Sequence, residues 1–188
     1  QKLKNIHTLN FNGCSALQDI SAIGALINLK TLNFNGCSSL VDMSPLKNLI
    51  NLKKLNICGT RRNKSPLIDV SSLEHLTNLQ HLTLRRCFVL TDISPLSSLT
   101  NLTILDMRAC TAIEDLHALG DMTSLVELTM GGDIRDANNA ITDISSLVSL
   151  NNLRKLDLSL CTSLSDISSL GHLPNLASLN LSNCDAIQ

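Results

Sequence analysis

The sequence has no tryptophan and no tyrosine, and only three of its 188 residues are phenylalanine. Large aromatic side chains normally fill irregular space in the core of a globular protein. Because 44% of the residues are nevertheless hydrophobic, the interior has to be built almost entirely from aliphatic side chains. A regular stack of Leu and Ile satisfies that condition, so the composition favours a repetitive architecture.

An excess of charge of one sign is also lacking, since the formal net charge is −1. Proteins that bind nucleic acid or anionic membranes normally carry surplus basic residues, so neither partner is indicated. No apolar run approaches the roughly 20 residues that cross a bilayer. The chain begins at Gln1 without a basic-then-apolar leader, so no targeting peptide is visible and we expect a fragment of a longer protein.

A repeat organises the chain. Residues 8–30 and 31–53 both begin TLNFNGCS, and further units start at Lys54, His81, Ile104, Glu127, Lys155 and Ser178. Five complete units have 23 residues, whereas those from Lys54 and Glu127 have 27 and 28. We therefore expect a single repeat domain over residues 1–188, with about seven full repeats and partial ends. The ends lack polar capping units, so we expect the chain to continue on both sides or to self-associate through them.

Each unit has two kinds of apolar spacing. Leu82 and Leu84 alternate with polar residues, which predicts a short half-buried strand. In the segment 91–102 the apolar residues recur every third position, which suits 3₁₀ turns better than an α-helix. One strand per unit, stacked on the next, predicts a parallel sheet with a strand spacing of roughly 4.8 Å.

The pattern L-x-x-L-x-L-x-x-C-x-x-L, carried for example by Leu29, Leu32, Phe34, Cys37 and Leu40, resembles the leucine-rich-repeat family along essentially the whole chain. The segment D-I-S-P-L-x-x-L-x-N-L is similar to repeats of internalins and phosphatase regulators. The Cys in place of the usual Asn, with one extra residue, is similar to repeats of trypanosomatid proteins and of F-box proteins. The resemblance implies an α/β fold: a right-handed solenoid with its parallel β-sheet on the concave face, short 3₁₀ or irregular turns on the convex face, and a partner protein on the concave sheet.

Seven cysteines are an odd number, and six occupy one position of their units: Cys14, Cys37, Cys87, Cys110, Cys161 and Cys184. We expect an inward column of reduced thiols near the backbone of the adjacent loop, because no Cys pair has metal-site spacing and parallel side chains do not form disulfides. Cys58 lies two positions earlier, where we expect its side chain to face outward. Reduced thiols favour an intracellular, cytoplasmic location over secretion, with surface exposure as the alternative.

Three further sets of polar residues need interpretation: the recurrent aspartates, the recurrent asparagines and the histidines. A carboxylate precedes each convex turn: Asp19, Asp42, Asp69, Asp92, Asp115, Asp143 and Asp166. A calcium ladder would need Gly-rich, closely spaced acidic loops, so we interpret these residues as caps of the turns. The recurrent Asn, as in Asn78 and Asn101, is expected to close the turn before the last Leu. The five histidines form no catalytic or metal-binding arrangement, so we expect no enzyme, no cofactor and no metal site.

Side chains alternating with the buried Leu point from the concave face. Their middle column is Asn10, Asn33, Asn56, Thr83, Asp106, Thr129, Asp157 and Asn180. Charge concentrates at the centre of that face, at His81, Arg85, Arg86, Asp106, Arg108 and Glu127, with Lys54 beside them.

The two long units add residues around Arg61, Arg62, Asn63 and Lys64 and around 134–138. Both insertions follow the strand at the same point, so we expect two loops at one sheet edge, roughly 15 Å apart. The hypothesis is a basic patch of Arg61, Arg62, Lys64, Arg85, Arg86 and Arg108 that meets an acidic segment of a partner protein. The alternative is that the loops are tolerated and the charges only solubilise the surface.

The sequence therefore predicts a non-enzymatic scaffold that binds another protein on the concave face and the insertion-bearing edge. A secreted or surface adhesin of the internalin type is the alternative. Nucleic-acid binding through the basic patch is a third possibility, against which the net charge and the missing aromatics weigh.

Overall fold

The computed structural model describes residues 3, 5–60, 65–133, 136–138 and 140–188. Within them each unit forms one three-residue strand, and neighbouring strands pair in parallel in sequence order. The strands are β1 Thr8–Asn10, β2 Thr31–Asn33, β3 Lys54–Asn56, β4 His81–Thr83, β5 Ile104–Asp106, β6 Glu127–Thr129, β7 Lys155–Asp157 and β8 Ser178–Asn180. Equivalent positions pair throughout, for example Leu82 with Leu55 and with Leu105. The strand pairing of the sheet thus follows the register of the sequence repeat.

The opposite, convex side consists of 3₁₀ helices, as the three-residue period predicts. They are η1 Ser21–Ala25, η2 Ser44–Asn48, η3 Ser71–His75, η4 Ser94–Ser98, η5 His117–Asp121, η6 Ser145–Ser149 and η7 Ser168–His172. Around η4 the amides of Leu96, Leu99 and Leu102 donate to the carbonyls three residues before them, at 2.9 Å each. Every third side chain therefore points inward, and all three leucines are fully buried.

The core between sheet and turns is aliphatic and continuous along the stack. Each strand contributes its central Leu, and those of β2 to β7 are at most 2% exposed. The rings of Phe11 and Phe34 stack with centroids 5.6 Å apart near the first strands. Further along, Leu and Met take the place of the rings, so successive units superimpose without irregular gaps.

The seven recurrent aspartates cap the convex turns, which confirms their interpretation. The Oδ1 atom of each accepts a hydrogen bond from the backbone amide two residues later, at 2.7–2.8 Å. These bonds lower the pKa of Asp19, Asp42, Asp92, Asp115, Asp143 and Asp166 below the ordinary value. Each carboxylate thereby satisfies an amide at the helix start that lacks an intrahelical acceptor.

The recurrent Asn residues connect units, rather than closing a turn inside one unit as expected. Asn78 Nδ2 donates to the carbonyl of Ile50, and Asn101 Nδ2 donates to the carbonyl of Thr77, both at 2.9 Å. Asn51, Asn152 and Asn175 make the same bond to the unit before them. The amide reaches backward because the turn it occupies lies directly against its predecessor, so this column stabilises the stack.

The column of recurrent cysteines is also confirmed. Except for the exposed Cys14, its thiols are buried. Those of Cys37, Cys87, Cys110 and Cys184 donate to a backbone carbonyl of the preceding unit at 2.9–3.3 Å. Burial raises the pKa of Cys161 to about 12. These thiols act as small interior groups that join neighbouring units.

Candidate functional site

The turn that follows each strand places one residue in the left-handed region of backbone space. Gly13 and Gly36 adopt φ values of 78° and 75°, and the equivalent Arg86, Ala109, Leu160 and Asn183 adopt values between 57° and 61°. A residue with a Cβ is strained there, so glycine is the usual occupant. The arginine at position 86 therefore sits in a constrained turn beyond the end of its strand.

This turn gives Arg86 a different place from the one expected. Its amide donates to the carbonyl of Arg108 at 2.8 Å, and its side chain is only 7% exposed. The sequence interpretation assigned Arg86 to the surface patch, and this is wrong. The side chain is directed into the protein, on the same side as Leu82 and Leu84, as strand alternation continued to position 86 requires.

The two long units leave the common path at glycines. A Cβ added to Gly59 would lie 2.7 Å from the carbonyl oxygen of Arg86, and one added to Gly131 would lie 2.6 Å from that of Ser159. Real Cβ atoms do not approach backbone so closely, so both units require glycine where the inserted residues begin. Arg61, Arg62 and Lys64 of the proposed patch lie outside the described residues.

The described part of the second insertion folds back towards the sheet. Asp133 and Asp136 pair as an isolated antiparallel bridge, with backbone bonds of 2.8 Å in both directions. Asn138 is buried, and its Nδ2 donates to the carbonyl of Met130 at 2.9 Å. These contacts fix Asp133, whose side chain is only 6% exposed.

Two arginines of the fourth unit converge on this aspartate. The Nη2 atoms of Arg85 and Arg86 both donate to Oδ2 of Asp133, the former at 3.0 Å. Burial alone would raise the pKa of Asp133, but the hydrogen bonds from Arg86 and Arg85 lower it. The arrangement is an arginine–carboxylate–arginine cluster that joins the unit of β4 to the insertion after β6.

Arg108 extends the cluster on the concave face. Its Nε atom donates to Oδ1 of Asp106 at 3.0 Å, and its backbone amide donates to the same oxygen at 3.1 Å. The hydrogen bonds with Asp106 raise the pKa of Arg108. Arg85 and Arg108 occupy equivalent positions after β4 and β5, and their side chains are 38% and 37% exposed. Each guanidinium is therefore held by a carboxylate while part of it faces solvent.

An open groove of about 480 Å³ lies beside these arginines. One side is formed by Arg85, Arg86, Asp106 and Arg108, and the remainder by uncharged residues: Asn35, Asn56, Cys58, Gly59, Thr60 and Thr83. Arg85 Nε, Arg86 Nε and Asn56 Oδ1 are buried and lack a hydrogen-bond partner among the described residues. The groove is thus a polar depression on the concave side, lined by guanidinium groups.

Cys58 lines this groove but is only 8% exposed, so the expectation of an exposed thiol is wrong. The pKa of its thiol is raised to about 12, chiefly by burial. Strand β3 ends at Asn56, and beyond Cys58 the amide of Gly59 donates to the carbonyl of Arg85 at 2.9 Å, just as the amide of Gly36 donates to the carbonyl of Cys58. The next unit therefore lies directly against Cys58.

The remaining predicted residues lie on the strands beside the groove. Burial and the charge of Lys54 lower the pKa of His81, although Glu127 opposes this effect. Glu127 Oε2 is 3.6 Å from Lys155 Nζ. His81 and Glu127 therefore belong to the same face as Asp106 and Arg108, but among the described residues no hydrogen bond or ion pair joins either of them to the arginines.

The convex side carries two smaller depressions, each about 250 Å³, on either side of His117. His117 Nδ1 is 2.6 Å from Asp115 Oδ1, and this hydrogen bond raises the pKa of His117. Both groups are largely exposed, and Asp115 is already a turn cap. Within the described residues no group of three His, Cys, Asp or Glu side chains could hold a metal ion, and no helix there is long and apolar enough to cross a membrane.

Comparison with known proteins agrees with the repeat and the sheet. Residues 77–121 match the family described as leucine-rich repeats in two copies, while none of the curated proteins matches the chain. Internalin C2 from Listeria monocytogenes is 28% identical and superimposes with a TM-score of 0.76, over 96% of this chain and 73% of that chain. The internalin inlF from the same organism is 30% identical with a TM-score of 0.63, over 88% of this chain and 58% of that chain.

A protein chain in the crystal structure of a TLR13–ssRNA13 complex is 24% identical to this chain and superimposes with a TM-score of 0.72, over 94% of this chain but only 25% of that chain. This likeness shows the fold alone. The fold class defined by the sheet and its 3₁₀ turns is the leucine-rich-repeat solenoid, a common protein-interaction scaffold. Solved internalins are among the structural neighbours of this fold. The more detailed likeness to trypanosomatid repeats stays a prediction.

Proposed function

We propose that the chain is a non-enzymatic scaffold that binds a partner protein on the concave face, centred on the strands β4 and β5. The observation that carries the proposal is the pair Arg85 and Arg108, held side by side by internal carboxylates and half-exposed. Side chains fixed before binding lose little conformational entropy when a partner arrives. Arginine is also enriched among the residues that dominate binding energy at interfaces.

The partner is expected to present an acidic segment. Arg85 and Arg86 bond to the carboxylate of Asp133 and Arg108 to that of Asp106, so the described cluster has one surplus positive charge. Arg86 contributes to this charge from inside the protein, rather than as a contact residue. His81, Asp106 and Glu127 would form the polar rim, and Arg61, Arg62 and Lys64 remain candidates by their place in the sequence.

Peptides selected from a random displayed library against the chain test the location of the surface. Arg108→Gln should weaken the selected peptides about tenfold or more, because a hydrogen bond to a charged group contributes roughly 1.5–3 kcal/mol. Lys47→Gln is the matched control, since Lys47 is an exposed cation on η2 at the convex side. Loss of binding in the Lys47 variant with retention in the Arg108 variant would contradict the proposal.

The similarity to internalin C2 favours a second candidate, an adhesin of the secreted or surface type. Titration of thiols under non-reducing conditions separates the two. Six or seven titratable thiols after unfolding support the intracellular scaffold, whereas oxidised pairs support the adhesin. Nucleic-acid binding predicts retention on heparin with a steep salt dependence, which neither protein-binding candidate requires.

A further inference from the structure

We propose that the groove beside β3–β5 is a subsite for one acidic side chain, a Glu or Asp of the partner segment. This inference rests on the proposed function and names the chemistry that the concave face selects. Its physical basis is a local shortage of negative charge around Arg86. A guanidinium group that is buried without full compensation is costly, and a second carboxylate reduces that cost.

The geometry of the cluster gives the shortage a definite place. Arg85 and Arg86 share the single oxygen Oδ2 of Asp133, while Arg108 is balanced by its own neighbour Asp106. The Arg86 side chain lines the groove, is more than nine-tenths buried, and has an Nε atom without a hydrogen-bond partner among the described residues. The surplus charge therefore lies at the wall of an open depression rather than on a solvated surface.

The uncharged part of the groove lining leaves room for an acidic side chain. In the unit of β3, Cys58 and Gly59 stand at the positions that carry Arg85 and Arg86 in the next unit. Small uncharged groups thus lie beside three arginines along a groove of about 480 Å³, which is ample space for a carboxylate side chain. Lys54 lies on the adjoining strand, and the acidic Glu127 and Asp157 lie on strands beyond β5. An acidic side chain is consequently attracted to the β3–β5 end of the face.

A hexaglutamate peptide with an amidated C-terminus is the probe, and amidated hexaglutamine is its neutral control. Fluorescence anisotropy should show hexaglutamate binding at least tenfold more tightly than hexaglutamine. Thr83→Glu places a carboxylate in the groove and should weaken hexaglutamate about tenfold or more. Thr129→Glu is the matched control for Thr83→Glu, since Thr129 holds the equivalent place on β6 but does not line the groove. This control should change the affinity for hexaglutamate less than threefold.

Arg85→Gln provides a second variant that adds no carboxylate and should also weaken hexaglutamate about tenfold. Its control is Arg154→Gln, an exposed cation before β7, and circular dichroism melts establish that each variant is folded. Equal affinity for the two peptides, or equal losses in the Thr83 and Thr129 variants, would overturn the subsite. Selected peptides that need Arg108 but carry no acidic residue would also overturn it, while leaving concave-face binding intact.

Discussion

Removal of the Asp133 carboxylate is the most informative perturbation of the folded chain. Asp133→Ala leaves the guanidinium of Arg86 with 7% of its side chain exposed and no carboxylate, and it frees the half-exposed Arg85. Breaking a buried ion pair by removing one partner costs about 3–5 kcal/mol. Arg86 carries most of this cost, because Arg85 can turn its guanidinium towards water.

The magnitude is measured by urea unfolding followed by circular dichroism, with the midpoint and the slope compared between variants. Asp136→Ala is the control, since Asp136 lies in the same insertion and bonds to Asp133 through backbone atoms in both directions. We expect this control to change the free energy of unfolding by less than about 1 kcal/mol, as is usual for surface substitutions.

A double-mutant cycle separates the loss of the pair from the cost of the orphaned charge. Arg86→Ala added to Asp133→Ala removes that charge, so the double variant should be more stable than the sum of the single losses by roughly 1–3 kcal/mol. Additive losses, or an Asp133→Ala variant as stable as the unmodified chain, would refute the buried cluster.

Three other predictions concern the frame that carries the site. The six capping aspartates with a lowered pKa contribute stability that is present above their ordinary pKa of 3.8 and is lost as the pH falls through their lower folded values. Urea midpoints should therefore stay level from neutral pH to about pH 5 and then fall. Replacing Asp92 by Asn, which keeps an acceptor but cannot titrate, should reduce that acid sensitivity, and an unchanged profile would contradict the capping role. One thiol, that of the exposed Cys14, should react with a disulfide reagent in the native chain and all seven in denaturant, whereas several rapidly reacting thiols in the native chain would contradict the buried column. Leu99→Ala should cost about 2–5 kcal/mol because Leu99 is fully buried, while the exposed neighbour Thr100→Ala should cost less than about 0.5 kcal/mol; similar losses in both would contradict the packing of η4.

The regular part of the fold could be predicted because one spacing determines both strand and turn. The eight strands begin at the residues where the repeat units after the lead-in begin, from Thr8 to Ser178. The three-residue period of Ile93, Leu96 and Leu99 likewise specifies 3₁₀ geometry, since each buried side chain follows one turn after the last. Local periodicity carries this information without any long-range contact.

The cluster at the site could not be predicted in the same way. Asp133 lies 47 residues from Arg86, directly before the residues inserted around 134–138 in another unit, so the repeat register does not predict that the two side chains meet. Part of the signal was nevertheless present, because glycine occupies the place of Arg86 in the first three units, at Gly13, Gly36 and Gly59. A recurrent glycine after a strand indicates a left-handed turn, and position 86 shares the inward alternation of Leu82 and Leu84.

Counting Arg85, Arg86 and Arg108 as free cations overstates the basic patch, because Asp133 and Asp106 each bond to arginine. Side-chain pairing across units depends on loop paths that periodicity does not encode.

The binding surface itself is tested most directly by a crystal structure of the chain with a peptide selected against it. The peptide is expected to lie on the concave face across β3–β6, with a carboxylate in hydrogen-bond contact with Arg85 or Arg108. A peptide seated on the 3₁₀ turns of the convex side, with the concave groove empty, would contradict the proposed function.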